Sequence, residues 1–460
     1  MTQNNVTAAI NFIDLATYTD LEAYLYGGVE ACTYFIRAVK ASNWFSFAAI
    51  TLKTDNNAGF NSQFSATLNR SADYILNVWL RVRVPQLELD TTAGLKADAS
   101  IRWTRNFMHN LISNCHLEFN NLILQEFDNI WLDMNYKFRV RGSKQVGYRN
   151  MIGDISSMTT PKFPGPAPGT LANVLGTGGW FNLPLPFYFA EDSGVSLPIA
   201  AIPFNDVKIY YTLRNWTDLL IINPGIMAGV AATSSHVIMT GTTAAPSIPS
   251  SDIQTFAHYA TVHNDERQKM GLAPRDILVH QVQSSSEVAF DATVAGVSTN
   301  VDVRFSHAIR GLFWVVRNNT TVGEWSNYTT EPDYAGLDPI TTSQLIYENT
   351  QKMSAGSDYT SLVAPYYWCE AIPDETGYHM YSYSLSTFNL DPMGSTNYSK
   401  LTNVTLTNVP SAAAVATTVA PFLDKDGVAL PSAQTYRLHI KAINHNILRI
   451  SGGSAGLPVL

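Results

Sequence analysis

His116-Leu117-Glu118 sets an imidazole and a carboxylate two residues apart, the spacing that opens the metal site of a zinc deaminase. That site also needs a Pro-Cys-x-x-Cys half, which the chain lacks, so the polar alternation of a strand explains the triplet better. Gly176-Thr177-Gly178-Gly179 could cradle a phosphate if a Walker lysine or a third spaced glycine opened a helix behind it. Trp180-Phe181-Asn182-Leu183-Pro184 follows instead, so the cluster reads as a loop, and Gly452-Gly453-Ser454-Ala455-Gly456 fails the same test. Serine, histidine and aspartate all occur, yet no G-x-S-x-G elbow presents a nucleophile and no H-E-x-x-H puts two imidazoles on one helix face. Cys32, Cys115 and Cys369 are odd in number and far apart, which argues against a disulfide framework or a C-x-x-C site and predicts buried free thiols. N-x-[ST] triplets, among them those beginning at Asn69, Asn215, Asn319, Asn327, Asn397 and Asn403, read as Asn/Thr-rich turn chemistry. No catalytic, metal or cofactor residue is assigned on these grounds.

The elements that would position any of these residues are mainly strands. Tyr74, Leu76, Val78, Leu80, Val82 and Val84 share one face, while Asn77, Trp79, Arg81 and Arg83 lie on the other until Pro85 ends the run. Leu111 to Phe119 and Val207 to Leu213 alternate in the same way. The second half repeats the period at Val301-Val303-Phe305, Leu312-Trp314-Val316, Tyr381-Tyr383-Leu385 and Tyr436-Leu438-Ile440. Short strands without long helical patterns between them predict antiparallel sandwiches and not βαβ units. Segments 159–179, 223–251 and 410–433 read as surface loops. Helix signals are few. Thr19-Asp20-Leu21-Glu22 has capping-box spacing, with Leu21, Tyr24 and Leu25 as an apolar stripe and Gly27-Gly28 as a stop. Asn264 to Met270 carries acids early and bases late, as a helix dipole favours, and marks the expected domain junction.

Composition agrees with a β-rich chain that has large surfaces to bury. Of 460 residues, 46% are hydrophobic and only 14% charged, a balance poor in the residues that solvate helices. With 29 Lys+Arg against 37 Asp+Glu the formal charge is −8, which disfavours direct contact with nucleic acid. Met1 to Ala9 has neither a basic nor an apolar stretch, so no secretory signal is expected. The most apolar run, Leu219 to Ala232, is broken by Asn223-Pro224-Gly225 and is short of a spanning helix.

An ordered series of motifs resembles the major capsid proteins of iridoviruses and, more loosely, those of ascoviruses and marseilleviruses. Phe12-Ile13-Asp14-Leu15-Ala16-Thr17, Tyr26-Gly27-Gly28 and Thr33-Tyr34-Phe35 open it. Ile101-Arg102-Trp103, Asn106 to Leu111, Asn150-Met151-Ile152-Gly153 and Leu183-Pro184-Leu185-Pro186-Phe187 continue it. In the second half come Asp265-Glu266-Arg267, Arg304 to Ile309, Ser326 to Thr330, Ile346 to Thr350, Pro392 to Tyr398 and Leu448 to Gly453. The resemblance therefore covers essentially the whole chain.

It implies two tandem eight-stranded jelly-roll β-sandwiches, a double jelly roll with a short N-terminal helix and long loops. The expected division is an arm at 1–30, a first roll at 31–268 and a second at 269–460. It further implies a homotrimer forming a pseudo-hexameric capsomer, which contacts neighbouring capsomers and minor capsid proteins in a virion shell over an internal membrane, with assembly in the host cytoplasm. Leu21, Tyr24 and Leu25 are the expected inner-face contacts. Gly394, in Pro-Met-Gly-Ser, is expected at a tight turn that needs positive φ. The competing class is a carbohydrate-binding or carbohydrate-active sandwich, which would show two carboxylates facing one cleft.

Overall fold

The computed structural model describes residues 25–458 apart from 27–28, 38, 55–57, 166–172, 295, 321–322, 332–335 and 416–433. It divides into two units, Met1–Trp44 and Phe45–Leu460. In the first, the described residues are extended chain and turns with exposed side chains, Cys32 among them. That exposure departs from the buried thiol expected there; Cys115 is buried and Cys369 half-buried. The helix expected around Thr19–Glu22 lies outside the described residues.

Within the second unit, strands from residues 45 to 262 form two main sheets around a shared core. One runs Phe45–Thr51, Ile253–Val262, Tyr74–Arg83, Trp180–Pro184; the other runs Lys53–Thr54, Gln63–Thr67, Val207–Leu213, Ile112–Phe119, Leu122–Phe127. The earliest strand pairs with the last, Phe45 opposite Val262, which is the crossing a jelly roll requires. Residues 275–456 repeat the plan. Arg275–Ser284, Tyr436–Ser451, Ala308–Asn318 and Tyr378–Ser382 make one sheet; Thr299–Asp302, Val404–Pro410, Ile340–Tyr347 and Thr350–Gly356 make the other. Among the described residues, strands of each set form ladders only with their own set. The fold is a double jelly roll.

The alternation locates the strands, but ladder irregularities change its phase. His258 pairs with Asn77 and Tyr259 with Ile75, so Leu76 is left over in a bulge. Below that point the core residue is Ile75, with Tyr74 and Leu76 half-buried, whereas Val78, Leu80, Val82 and Val84 face inward as their period predicts. A second bulge skips Ser113, and Leu111 ends the short helix Phe107–Leu111 instead of starting the strand. Leu385, expected on a strand face, is exposed beyond Tyr378–Ser382. Segment 223–251 is more than loop, because Val237–Met239 pairs with Leu87–Leu89.

Helices are also more numerous than the sequence suggests. Asn264–Leu272 forms between the two sets of strands, with His263 Nδ1 accepting from Asp265 N–H at 3.4 Å. Asn129–Arg139 and Gly142–Ile152 were not anticipated. The first is capped by Asp128, whose carboxylate accepts from Trp131 N–H at 2.9 Å, and it carries Lys137 and Arg139 in its last turn. Nine of its eleven residues are buried, so it looks all-apolar in environment without being so in sequence. It lies between the rolls. Phe313 on the second roll's Ala308–Asn318 strand meets Trp131 at 5.7 Å and Phe138 at 5.1 Å. Leu312, Trp314 and Val316 of the same strand face the second roll's own core, so this strand is buried on both sides.

Candidate assembly surfaces and the seam between the rolls

The Asn129–Arg139 helix aims Asp133 into a space closed from water. Asp133 Oδ1 accepts from Asn106 Nδ2 at 3.0 Å and from His109 Nδ1 at 2.6 Å, and its Oδ2 accepts from Tyr328 Oη at 2.9 Å. His109 Nε2 reaches Tyr148 Oη at 2.9 Å. Burial raises the pKa values of the Tyr148 and Tyr328 hydroxyls, so both remain protonated donors. An Asp-His-Tyr relay is a familiar catalytic grouping, but the Asp133 and His109 side chains are 0% exposed and no substrate can reach them. What the arrangement can do is hold two rolls in one register. Asn110 extends it by donating to Ser326 Oγ at 2.8 Å and accepting from Asn129 Nδ2 at 3.0 Å.

Charged pairs stitch the same boundary. Arg105 reaches Glu375 at 2.6 Å and Asp154 at 3.4 Å, and Lys137 reaches Asp374 at 2.5 Å and Glu375 at 3.3 Å. Arg102 pairs with Glu324, Arg149 with Asp374, and Lys441 with Asp128. Burial tends to raise Asp128 and Asp374, but Lys441 beside the first, and Lys137 and Arg149 beside the second, hold both below the usual carboxylate range. Glu191 accepts from Arg139 at 3.2 Å and stands 2.6 Å from His280 Nδ1, while Arg310 stands 2.6 Å from His280 Nε2. Burial pulls Arg310 down to about 10, which still leaves it charged at neutral pH. Buried pairs of this kind add little net stability over apolar packing, but removing one partner is costly. They therefore specify the mutual placement of the rolls. Trp325 completes the seam, stacked by Arg214 at 3.9 Å and Arg317 at 4.6 Å.

These residues were present among the quoted motifs, but their role was not legible. Asn106 to Leu111 supplies Asn106, His109 and Asn110, and Ser326 to Thr330 supplies Ser326 and Tyr328 from the other roll. Asp128, three residues ahead of Trp131, was the available signal for the unanticipated helix. Asn327, one of the triplet asparagines, is buried and accepts from Thr329 N–H at 3.0 Å, a turn contact. Of the three expected inner-face residues, Leu21 and Tyr24 lie outside the described residues and Leu25 is exposed. Gly394 has φ +119°, and a Cβ there would stand 2.8 Å from Tyr383 O.

A polar cleft of about 250 Å³ beside the 119–122 turn holds Glu118 and Asp206 with Lys208 and Tyr210. It brings two carboxylates to one cleft together with a lysine. Among the described residues no group of His, Cys, Asp and Glu is arranged to hold a metal, and no helix is long and apolar enough to cross a membrane.

Comparison with known proteins places the chain in context. Residues 33–261 match the family model described as major capsid protein N-terminus, and residues 266–456 match that of large eukaryotic DNA virus major capsid protein. The major capsid protein of Costelytra zealandica iridescent virus is 44% identical over 475 residues, spanning 100% of both chains. That of Wiseana iridescent virus is 44% identical, spanning 98% of this chain and 93% of the relative. Among solved structures, the quasi-atomic PBCV-1 virus capsid is similar with a TM-score of 0.70 at 20% identity, covering 93% of this chain and 100% of that one.

Proposed function

From the premise that the chain belongs to the major capsid proteins of large eukaryotic DNA viruses, iridovirus type, we propose that three copies close into a pseudo-hexameric capsomer tiling the virion shell over an internal membrane. The chain is a structural capsid protein and not an enzyme. The observation that carries the trimer reading is the seam. Two similar sandwiches per chain, held in one register by Asp133, Lys137 and Arg105, act as two lobes of one rigid tile. Three such chains around an axis give six near-equivalent lobes, the outline that packs a hexagonal lattice.

Under this reading the arm, 1–30, and the rolls, 31–268 and 269–460, are the functional divisions. The arm, through Leu21, Tyr24 and Leu25, contacts the inner membrane or minor capsid proteins. Gly394 maintains a turn at one end of the second roll, capsomers meet laterally, and assembly proceeds in the host cytoplasm without direct nucleic-acid contact. Sedimentation of the purified chain at micromolar concentration, followed by electron microscopy, tests the proposal. Trimers that associate into sheets are expected; a stable monomer refutes it.

A further inference from the structure

The segment Tyr359–Val363 is a π-helical turn running straight into the helix Ala364–Trp368. Pro365 has no N–H to continue a regular ladder, and the turn ahead of it widens. Tyr359, Leu362, Val363, Tyr366 and Tyr367 fall at i, i+3, i+4, i+7 and i+8, the spacing of a buried helix face. Here that face points outward: they are 38%, 51%, 41%, 66% and 65% exposed. The opposite face, Thr360, Ala364 and Pro365, is buried. Thr360 Oγ1 bonds His379 Nδ1 at 2.9 Å and Ser357 O at 3.2 Å, so the helix is held rigidly while it displays its apolar side.

We propose that this stripe is the contact by which each chain of the capsomer binds a second copy of itself, an inference that rests on the trimer reading above. Its exposed part amounts to roughly 500 Å², in the upper part of the roughly 300–600 Å² range of the largest patch on a monomer, a patch that is often functional. One partner's whole share of a standard interface is about 800 Å², so the stripe supplies most of the apolar centre of one. It holds no charge and three tyrosines, the composition of an interface core, and its rim is polar. Asp358 is exposed at one end, and Glu370 pairs with Arg141 at 3.5 Å at the other.

The acid at one end, unpaired among the described residues, the lack of any Lys or Arg between residues 358 and 370, and the pairing of Arg141 with Glu370 at the other end argue against an anionic bilayer as the occupant. The first roll exposes a different apolar surface, Phe45 and Phe47 on the edge strand Phe45–Thr51. A chain carrying two unlike apolar faces, one on each roll, is built for a head-to-tail contact that closes into a ring.

The test is sedimentation of the full-length Leu362→Glu/Tyr366→Glu protein beside wild type, with near-ultraviolet circular dichroism to report the fold. A natively folded variant that sediments as monomer while wild type is trimeric supports the proposal. A folded variant that remains trimeric overturns it, including one that has lost only sheet formation, vesicle binding or a minor protein, since each would assign the stripe to that other occupant. A monomeric wild type overturns the trimer reading and this inference with it. If the double variant does not fold, Tyr366→Ala decides. A rise of tenfold or more in the trimer dissociation midpoint supports the contact, and an unchanged midpoint refutes it.

Discussion

Replacing Asp133 tests whether the seam is what unites the rolls. Asp133→Leu keeps the approximate volume but removes the acceptors for Asn106 Nδ2, His109 Nδ1 and Tyr328 Oη, all of them buried. Each orphaned donor costs about 1–3 kcal/mol, and breaking a buried charged grouping from one side typically costs about 3–5 kcal/mol in total, the figure adopted here because the three are coupled. Asp133→Asn is the control. Its oxygen can still accept from Asn106 and His109, and its amide can donate to the Tyr328 oxygen, so about 1–2 kcal/mol is expected. For the unit Phe45–Leu460, the usual unfolding entropy of about 2.1 cal/mol/K per residue gives about 0.9 kcal/mol/K overall. The leucine variant should then melt about 3–6 °C below wild type and the asparagine variant about 1–2 °C below. Melting is followed by near-ultraviolet circular dichroism at one protein concentration. A leucine variant as stable as wild type, or an asparagine variant as damaged as the leucine one, would refute the claim that these three hydrogen bonds hold the seam.

Gly394→Val adds a Cβ 2.8 Å from Tyr383 O at φ +119°, so a penalty of at least about 1–2 kcal/mol and loss of soluble capsomers are expected; normal assembly would show that the turn tolerates a side chain. His439 and His445 sit in the seam-facing strand Tyr436–Ser451. Burial first, then Arg317 and Lys441 beside His439 and Arg310 and His280 beside His445, lower them to about 3 and about 4. Because both fall below the ordinary histidine value, the unfolded chain takes up protons first. Stability is therefore complete above about pH 6.5 and declines as pH falls toward 4, by at most about 1.4 kcal/mol per pH unit for each histidine. Melting between pH 7 and 4.5 should show this decline, and His439→Phe should make it shallower; parallel curves would count against the assignment. Deleting residues 2–28 should leave the rolls folded and prevent complete particles from forming, and intact virions from the deleted chain would remove the arm from the inner face.

The sequence by itself determined the sandwich character, the absence of any recognisable catalytic motif and the kinship, because each is carried by local signals. Period-two alternation at Val207 to Leu213 survives into the structure unchanged, since both sheet faces there see what their polarity predicts. The family motifs are equally local: they can be read one after another without knowing what any of them touches. Tertiary structure alone decided the rest. Bulges at Leu76 and Ser113 shift the inward face by one residue, and only the partner strand's register reveals them. Asn129–Arg139 mixes Asp133, Asn135 and Lys137 among apolar residues, so its pattern looks poor for a buried helix until the second roll arrives with Tyr328, Asp374 and Phe313 to meet both kinds of side chain. The stripe on Tyr359–Trp368 shows the converse. Its helical spacing is visible in the sequence and would ordinarily mark a face packed on its own core. Which side of that helix the core takes depends on where Thr360, Ala364 and Pro365 dock, a fact that arises from packing between distant strands and from no local preference.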